Sequence, residues 1–342
     1  MKAYYPLLDL LRFFAAFWVM SFHYFLWYSG DIHWYRYGNL GVPLFFIISG
    51  FVISQSVAQA STKAFALGRF IRLFPLFWII CTLTYIFTLL IPNGNPVQFP
   101  EYLISMTMLG DKLGNALGYA RLVDAAYWSL VIELLFYIAI GLFVYLFSWK
   151  HIRWFTGLWL ATSAAAFFFS VDDTFIAKTL LVRHASYFLF GITLMLVAST
   201  AYASWKMKLY DYGFLITVAT YGALISYRAL PPYLTPHPLD TFIVTVLQFA
   251  FFGGVALLVY LSRFFTSKKY IDVAIIIGGL TYPLYLIHQT VGNTIIDYFK
   301  DYGTLYQRGA IVMILMVALA YIAYQHDKRL RKYLTIKLLP SK

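Results

Sequence analysis

The sequence has 342 residues, of which 61% are hydrophobic and 12% charged, and its mean hydropathy is +0.72. This composition excludes an ordinary soluble domain and predicts a polytopic integral membrane protein. The single cysteine, Cys81, excludes an internal disulfide framework and a multi-cysteine metal site. The net charge of +12 is spread over short connections and the C-terminal tail, which favours membrane topology over a nucleic-acid partner.

Apolar runs along the chain predict an all-α bundle of about ten transmembrane helices, because one span needs roughly 20 apolar residues. The first run contains Asp9, Arg12 and His23 and has no convincing small-residue cleavage site, so we interpret it as mature structure. No repeat or composition shift marks a second domain, so residues 1–342 are predicted to form one membrane domain without a separate soluble domain. The predicted spans are 7–28, 40–58, 72–92, 127–148, 152–170, 183–200, 209–227, 242–263, 272–293 and 308–326.

The distribution of charge predicts that both termini are cytoplasmic, because basic residues concentrate on that side of a membrane. The longest connection, about 93–126, contains Pro96 and Pro100 and is long enough to cover a site on the outer side. Basic residues on the predicted cytoplasmic side are Lys63, Arg69, Arg72, Lys150, Arg153, Lys206, Lys208, Arg263, Lys268, Lys269, Lys328, Arg329, Arg331, Lys332, Lys337 and Lys342. Acidic residues on the opposite side are Asp31, Glu101, Asp111, Asp124, Asp172, Asp173, Asp297 and Asp301.

Ionisable residues inside the first span are candidates for function, because a charge at bilayer depth is costly. Asp9 and Arg12 are three residues apart and can pair on one helix face. His23 follows Arg12 by eleven residues, which places it on nearly the same face about 16 Å further along the helix. The alternative is a snorkelling arginine near a helix end and a hydrogen-bonded core histidine.

Two later spans add polar groups at a comparable depth. The segment from Trp128 through Ser129 to Glu133 places a carboxylate inside the fourth span, where the alternative is a structural carboxylate that is protonated or bonded to a hydroxyl. In the ninth span an apolar motif ends at His288. By itself, such a histidine is more typical of a core residue whose hydrogen bonds are satisfied. At about 1.5 Å per residue, His23, Glu133 and His288 all lie towards the outer side. A shared polar chamber is therefore predicted.

Two arginines, Arg69 and Arg72, lie at the predicted cytoplasmic mouth of the third span. They are three residues apart and share one face of a helix start. A guanidinium fork binds phosphate in a bidentate manner, so the pair suits a phosphate-rich ligand. The alternative is that both residues only follow the positive-inside rule.

Five ordered motifs together resemble acyltransferase family 3. They are Asp9-x-x-Arg12 with an Arg-x10-His spacing to His23, Val42-Pro-Leu-Phe-Phe-Ile-Ile-Ser-Gly50, Arg69-x-x-Arg72-x-x-Pro75, Trp128-Ser-Leu-x-x-Glu133-x-x-Phe-Tyr and Tyr282-Pro-Leu-Tyr-Leu-Ile-His288. The motifs extend from Asp9 to His288, and the expected span count also resembles that of the family's membrane domain.

The resemblance implies O-acylation, usually O-acetylation, of an envelope or exported carbohydrate by a multi-pass protein of the cytoplasmic membrane. Acetyl-coenzyme A is the expected donor, a carbohydrate or lipid-linked sugar the expected acceptor, membrane lipid the expected surroundings, and no nucleic-acid partner is expected. The matching positions are His23 as the essential histidine, Asp9 and Arg12 as its helix-one partners, Arg69 and Arg72 as donor-side arginines, Glu133 as the fourth-span carboxylate, Trp128 and Ser129 in its motif, and His288 in a motif position without a settled role.

The chemistry of such a transfer fits these residue types. A thioester is already activated, so the acceptor hydroxyl needs a general base, and His23 can serve with Glu133 orienting its ring. Cys81 has no neighbour in sequence that would favour a thiolate, and no metal-binding motif occurs, so neither a cysteine nucleophile nor a metal is expected. The chain departs from the family at Leu10, Leu134 and Leu135, where Gly, Glu and Gln are common. No additional extracytoplasmic domain is expected after the tenth span.

Two other classes of protein stay open at this point. A secondary transporter would also bury His, Arg and Glu, but it predicts two similar halves with broken helices, which the sequence does not show. A membrane sensor or scaffold would not need the arginine pair and the outer histidine together. The acceptor is open too, since lipopolysaccharide, exopolysaccharide, peptidoglycan, a lipid-linked sugar and a small exported metabolite all offer hydroxyls.

Overall fold

The computed structural model describes residues 4–26, 34–91, 96–119, 121–172, 174–199, 204–228 and 238–339, and no β-strand occurs among them. The all-α prediction is therefore confirmed for this part of the chain. The helices are α1 (Pro6–Phe25), α2 (Gly41–Val57), α3 (Thr62–Leu90), α4 (Phe99–Met106), α5 (Gly110–Leu117), α6 (Trp128–Phe147), α7 (Ile152–Phe168), α8 (Phe175–Thr179), α9 (Ala185–Ala198), α10 (Trp205–Arg228), α11 (Pro238–Leu261), α12 (Lys268–Tyr298) and α13 (Leu305–Leu338).

Each of the ten predicted spans coincides with one helix, but the helices differ in how well they suit a bilayer. Seven helical segments are long and apolar enough to cross it, and they contain α1, α2, α3, α6, α11, α12 and α13. The helix α9 has only 14 residues, and α7 has 17. The described residues thus support a multi-pass membrane protein, while the count of ten and the cytoplasmic position of the termini stay predictions.

Two helices extend well beyond the apolar runs that predicted them. The helix α3 begins at Thr62 rather than near residue 72, so Arg69 and Arg72 lie within its first three turns and not at its start. The helix α13 continues to Leu338, twelve residues past the predicted end. Hydropathy ends a span at the first charges, whereas Lys, Arg and Leu all favour continued helix.

Some sequence predictions fall partly outside the described residues. Asp31, Asp173 and Lys342 are in this group, as are the last residues of the predicted spans 7–28, 72–92 and 183–200. The long connection 93–126 is described except at 93–95 and 120, and it contains α4, α5 and a short 3-10 turn over Ala125–Tyr127.

The chain forms two compact units, each assembled from three separate segments. Unit 1 consists of Met1–Leu8, Pro43–Thr62 and Leu135–Ile271. Unit 2 consists of Asp9–Val42, Lys63–Leu134 and Asp272–Lys342. All nine candidate site residues belong to unit 2, although α1 and α6 also extend into unit 1. The single-domain prediction itself stays a prediction.

Unit 1 brings α2 close to α9 through a glycine contact. A Cβ atom at Gly191 would lie 2.1 Å from the carbonyl oxygen of Ile47, so only glycine allows this approach. The ring of Phe188 on α9 lies 4.9 Å from that of Phe46 on α2. The apolar motif around residues 42–50 therefore has a packing role that the sequence alone did not reveal.

Unit 2 is organised around α12, which contacts three other helices near residues 278–282. A Cβ atom at Gly278 would lie 2.5 Å from the Cβ of Asp9, and one at Gly279 would lie 2.2 Å from the ring of Tyr324. The two glycines therefore let α1 and α13 approach α12 closely. One turn further on, the Tyr282 hydroxyl donates to the carbonyl oxygen of Leu73 on α3 at 2.9 Å. This level of α12 thus sets the positions of α1, α3 and α13.

Candidate active site

Two histidines from different helices meet inside unit 2. The imidazole rings of His23 on α1 and His288 on α12 have centroids 5.1 Å apart and lie at 87° to each other. The neighbouring Tyr24 hydroxyl donates to the carbonyl oxygen of His288 at 2.7 Å, which ties the same two helix segments together. The sequence predicts only a similar depth for His23 and His288, and the structure brings their rings together.

The hydrogen bond at His288 defines which ring nitrogen is free to react. Its Nδ1 lies 2.8 Å from the carbonyl oxygen of Tyr285, and a carbonyl can only accept, so Nδ1 carries the proton in the neutral ring. The lone pair then belongs to Nε2. His288 is 1% exposed, and this Nε2 has no hydrogen-bond partner among the described residues. A buried acceptor without a partner is costly, so its position beside His23 points to a polar group that binds there.

Tyr285 connects the histidines to the start of α6. Its hydroxyl lies 2.6 Å from Oγ of Ser129 and 3.1 Å from the carbonyl oxygen of Ala126, while its ring is 5.4 Å from that of His288. Glu133 acts electrostatically on the same hydroxyl. We define His23, His288, Tyr285 and Ser129, which these contacts connect, as the imidazole cluster. The shared polar chamber of His23, Glu133 and His288 stays a prediction. The other member of the motif, Trp128, is 39% exposed at the helix start.

The ring set against His23 is that of His288, whereas Glu133 is an electrostatic neighbour of Tyr285. Orientation of the His23 ring by Glu133 stays a prediction. Among the described residues, no group of three His, Cys, Asp or Glu side chains is placed to hold a metal ion. Cys81 is buried within α3.

Asp124, at the end of the long connection, belongs to the site. The sequence analysis lists it only among the acidic residues of the outer side. Its Oδ1 accepts from the backbone N–H of Ala126 at 2.8 Å, and its Oδ2 accepts from the backbone N–H of Thr290 at 2.8 Å. The side chain is fully buried, and this burial raises the pKa of Asp124 to about 6 despite the two hydrogen bonds, which lower it. The available signal was its position as an N-cap before an apolar helix.

Basic side chains gather one level lower along α12. On α1, Arg12 lies 3.5 Å from Asp9, the residue that packs against Gly278, and this confirms that the two charges share one helix face. On α3, the Arg69 guanidinium lies 5.8 Å from the ring centre of Phe65. Arg72 precedes Leu73, whose carbonyl holds the Tyr282 hydroxyl.

The helical extension of α13 adds a third arginine, which sequence reasoning had placed in the basic tail. Arg331 interacts electrostatically with Arg72 and Tyr282, and its Nη2 lies 2.7 Å from Oδ2 of Asp327. We call Arg12, Arg72 and Arg331 the cationic layer, because their helices all pack around residues 278–282 of α12. The apolar pattern could not identify Arg331, since the predicted span ended at residue 326.

The cationic layer and the imidazole cluster are separated along the helices. Gly279 and His288 are nine positions apart on α12, which corresponds to about 14 Å. Arg12 and His23 are eleven positions apart on α1, or about 16 Å. A ligand that contacts both must therefore combine an anionic group with an arm of this length.

A family model described as an acyltransferase domain, that of acyltransferase family 3, matches residues 5–325 of the 342. No curated protein and no solved structure gives a significant match. The matched residues include all five motifs, the imidazole cluster, and Arg12 and Arg72 of the cationic layer. Arg331 lies outside the match. The chain therefore belongs to acyltransferase family 3 and is a membrane acyltransferase.

Proposed function

We propose that this protein transfers an acetyl group from cytoplasmic acetyl-coenzyme A to a hydroxyl of a cell-surface or exported carbohydrate. The observation that carries the proposal is the spacing of about 14 Å between the cationic layer and the imidazole cluster in unit 2. Coenzyme A has phosphates at one end and a thioester at the end of a long pantetheine arm. The two ends of this donor match the two levels of the site.

The phosphates of the donor would bind to Arg12, Arg69 and Arg72. Guanidinium groups suit this role because they stay charged and bind phosphate oxygens through paired N–H groups. The thioester would then reach the level of His23.

At that level, His23 would act as the general base. It accepts the proton of the acceptor hydroxyl while the oxygen attacks the thioester carbonyl carbon and forms a tetrahedral intermediate. The C–S bond then breaks, and the proton passes from the imidazolium to the departing thiolate. The products are an acetyl ester and free coenzyme A, and His23 is neutral again. Glu133 would stabilise the transient imidazolium by its negative charge.

The proposed orientation places both termini in the cytoplasm and the connection 93–126 on the outer side of the cytoplasmic membrane, where an exported carbohydrate is available. In a Cys81→Ser background, Gln98→Cys and Lys328→Cys put single thiols at exposed positions on these two parts. An impermeant thiol reagent applied to intact cells is expected to label position 98 and not 328. Equal labelling of both positions would overturn the orientation.

The reaction itself is tested with purified protein and acetyl-coenzyme A labelled in the acetyl group. In the presence of envelope polysaccharide from the producing cells, we expect free coenzyme A to be released and label to enter the polysaccharide in equal amounts. Base treatment should remove the label, because an O-acetyl ester is base-labile. Labelled polysaccharide without coenzyme A release, or the absence of both from folded protein, would overturn the proposal.

A further inference from the structure

The C-terminal extension of α13 contains an ion pair in which part of the hydrogen-bonding capacity of both partners is unused. Asp327 is 3% exposed, and its Oδ2 accepts from Nη2 of Arg331 one helical turn away at 2.7 Å. Neither Oδ1 of Asp327 nor Nε of Arg331 has a hydrogen-bond partner among the described residues. The pair therefore holds the guanidinium in place but leaves part of its donor capacity unused.

A second guanidinium lies close to this pair. Arg72 of α3 interacts electrostatically with both Asp327 and Arg331. The three side chains carry two positive charges and one negative charge, so the cluster has an excess of one positive charge. The positive charges of Arg72 and Arg331 act unfavourably on each other, and an anion bound between them would offset this repulsion.

The surroundings fit a phosphate better than a carboxylate. A phosphate offers several oxygens, so it can bind one guanidinium through a pair of N–H groups and still contact the other. Arg331 also lies near the tyrosines Tyr282 and Tyr324, which interact with it electrostatically. Tyr282 is on α12 and Tyr324 is on α13, at the level where Gly279 of α12 contacts the ring of Tyr324.

We propose that Arg331, held in position by Asp327, binds a phosphate of the coenzyme A donor together with Arg72. This inference rests on the proposed function and extends its donor site to α13. Arg331 is a binding residue, and Asp327 is a positioning residue that acts through it.

A membrane lipid is the other source of a phosphate at this place. A cavity of about 640 Å³ between α3, α12 and α13 is lined mainly by apolar side chains such as Leu83 and Ile322, and it extends to Asp327. A lipid chain in this cavity would place its headgroup near the same arginines. The experiment must therefore separate a soluble donor from an anionic lipid.

The first arm measures the Michaelis constants of Arg331→Gln. We expect the constant for acetyl-coenzyme A to rise about tenfold or more, because the variant loses a charge-assisted hydrogen bond to the phosphate, while the constant for the acceptor stays the same. Arg331→Lys should recover only part of the loss. Arg329→Gln removes an exposed charge from the same helix and is the matched control, with no change expected.

The second arm tests coupling and position. Arg72→Gln combined with Arg331→Gln should raise the donor constant by less than the product of the single effects, because both residues bind one group. Asp327→Asn should give a smaller increase of the same kind. With S-acetylpantetheine, which lacks all phosphates, Arg331→Gln should behave like wild type, whereas a misfolded variant would lose activity with both donors.

The inference is overturned if Arg331→Gln matches Arg329→Gln with acetyl-coenzyme A, or if it loses equal activity with S-acetylpantetheine. It is also overturned, in favour of a lipid, if the effect of Arg331→Gln disappears when the protein is moved from phosphatidylglycerol nanodiscs into a delipidated maltoside detergent, which contains no phosphate. Failure of the proposed function looks different, because wild-type protein would then release no coenzyme A from either donor.

Discussion

Each of the two units contains a buried aspartate paired with an arginine, and the two pairs differ in how many hydrogen bonds join the partners. In unit 1, Nε and Nη2 of Arg153 donate to the two carboxylate oxygens of Asp211 at 2.9 and 2.8 Å. In unit 2, Arg331 contacts Asp327 through Nη2 alone. Both arginines are 26% exposed, and both aspartates are almost fully buried, so burial does not explain the difference.

The difference indicates which charges the fold itself explains. A bidentate pair satisfies both partners and ties α7 to α10, so Arg153 and Asp211 need no ligand. A pair with one contact leaves a buried donor and a buried acceptor, and an unsatisfied buried group costs about 1–3 kcal/mol. Such a cost is typical of positions where a ligand completes the hydrogen bonds.

The histidines of the two units extend this comparison and give the largest expected effect. The ring of His184 in unit 1 packs 5.3 Å from the ring of Phe46, whereas that of His23 in unit 2 lies 5.1 Å from the His288 imidazole as well as 5.1 Å from the ring of Phe22. His23→Gln keeps a polar side chain but cannot accept a proton at neutral pH, so we expect turnover to fall about a hundredfold to ten-thousandfold. The measurement is coenzyme A release at saturating donor and acceptor.

The matched control is His184→Gln, which removes an imidazole from unit 1 and should leave turnover within about threefold of wild type. Binding of coenzyme A to His23→Gln should remain, because the cationic layer is unchanged. Near-normal turnover of His23→Gln would move the role of base to His288, whose Nε2 carries the lone pair in the same cluster.

The sequence predicted the positions of the helices better than their ends. Apolar runs located all ten predicted segments, because the bilayer requires long apolar stretches. Those runs ended at the first charges, so they missed the beginning of α3 and the last twelve residues of α13. The sequence analysis therefore assigns Arg331 to the basic tail, although in the structure it lies on α13 and interacts electrostatically with Arg72.

The sequence also predicted the members of the site better than their partners. Depth alone placed His23, Glu133 and His288 at one level, but the rotation of each helix decides which side chains meet. The contact of His23 with His288 depends on how α1 and α12 pack, and spacing along one helix contains no information about that. Asp124 was missed for a related reason, since its partner Thr290 lies 166 residues away.

The bidentate pair of Arg153 and Asp211 in unit 1 should affect the stability of the protein but not its binding of the donor. Asp211→Asn removes the charge opposite Arg153 in a buried setting, and we expect a loss of about 3 kcal/mol in the free energy of unfolding. The constant for acetyl-coenzyme A should stay the same in the protein that remains folded. The measurements are the unfolding midpoint in detergent and the donor Michaelis constant. A raised donor constant without a lower midpoint would contradict the comparison.

Asp124 is a third kind of buried aspartate, and it gives the smallest expected effect. Its two oxygens accept from backbone N–H groups, so its negative charge is held by hydrogen bonds to the 3-10 turn before α6 and to α12 rather than by a guanidinium. Burial raises the pKa of Asp124 from the usual value near 4 to about 6. Between these two pH values the folded protein holds one proton more than the unfolded chain does.

The contribution of Asp124 to stability should therefore decrease as the pH rises from about 4 to 6 and become constant above about 7, with a total change of at most about 3 kcal/mol. Asparagine does not titrate, so Asp124→Asn should lose this slope, and its amide would face one of the two N–H donors and lower the midpoint at every pH. Asp301→Asn alters an exposed acid beyond α12 and should keep the wild-type slope. The measurement is the unfolding midpoint in detergent from pH 4 to 8. If Asp124→Asn retains the full slope, the proton is taken up elsewhere, and the two N–H groups hold Asp124 charged throughout this range.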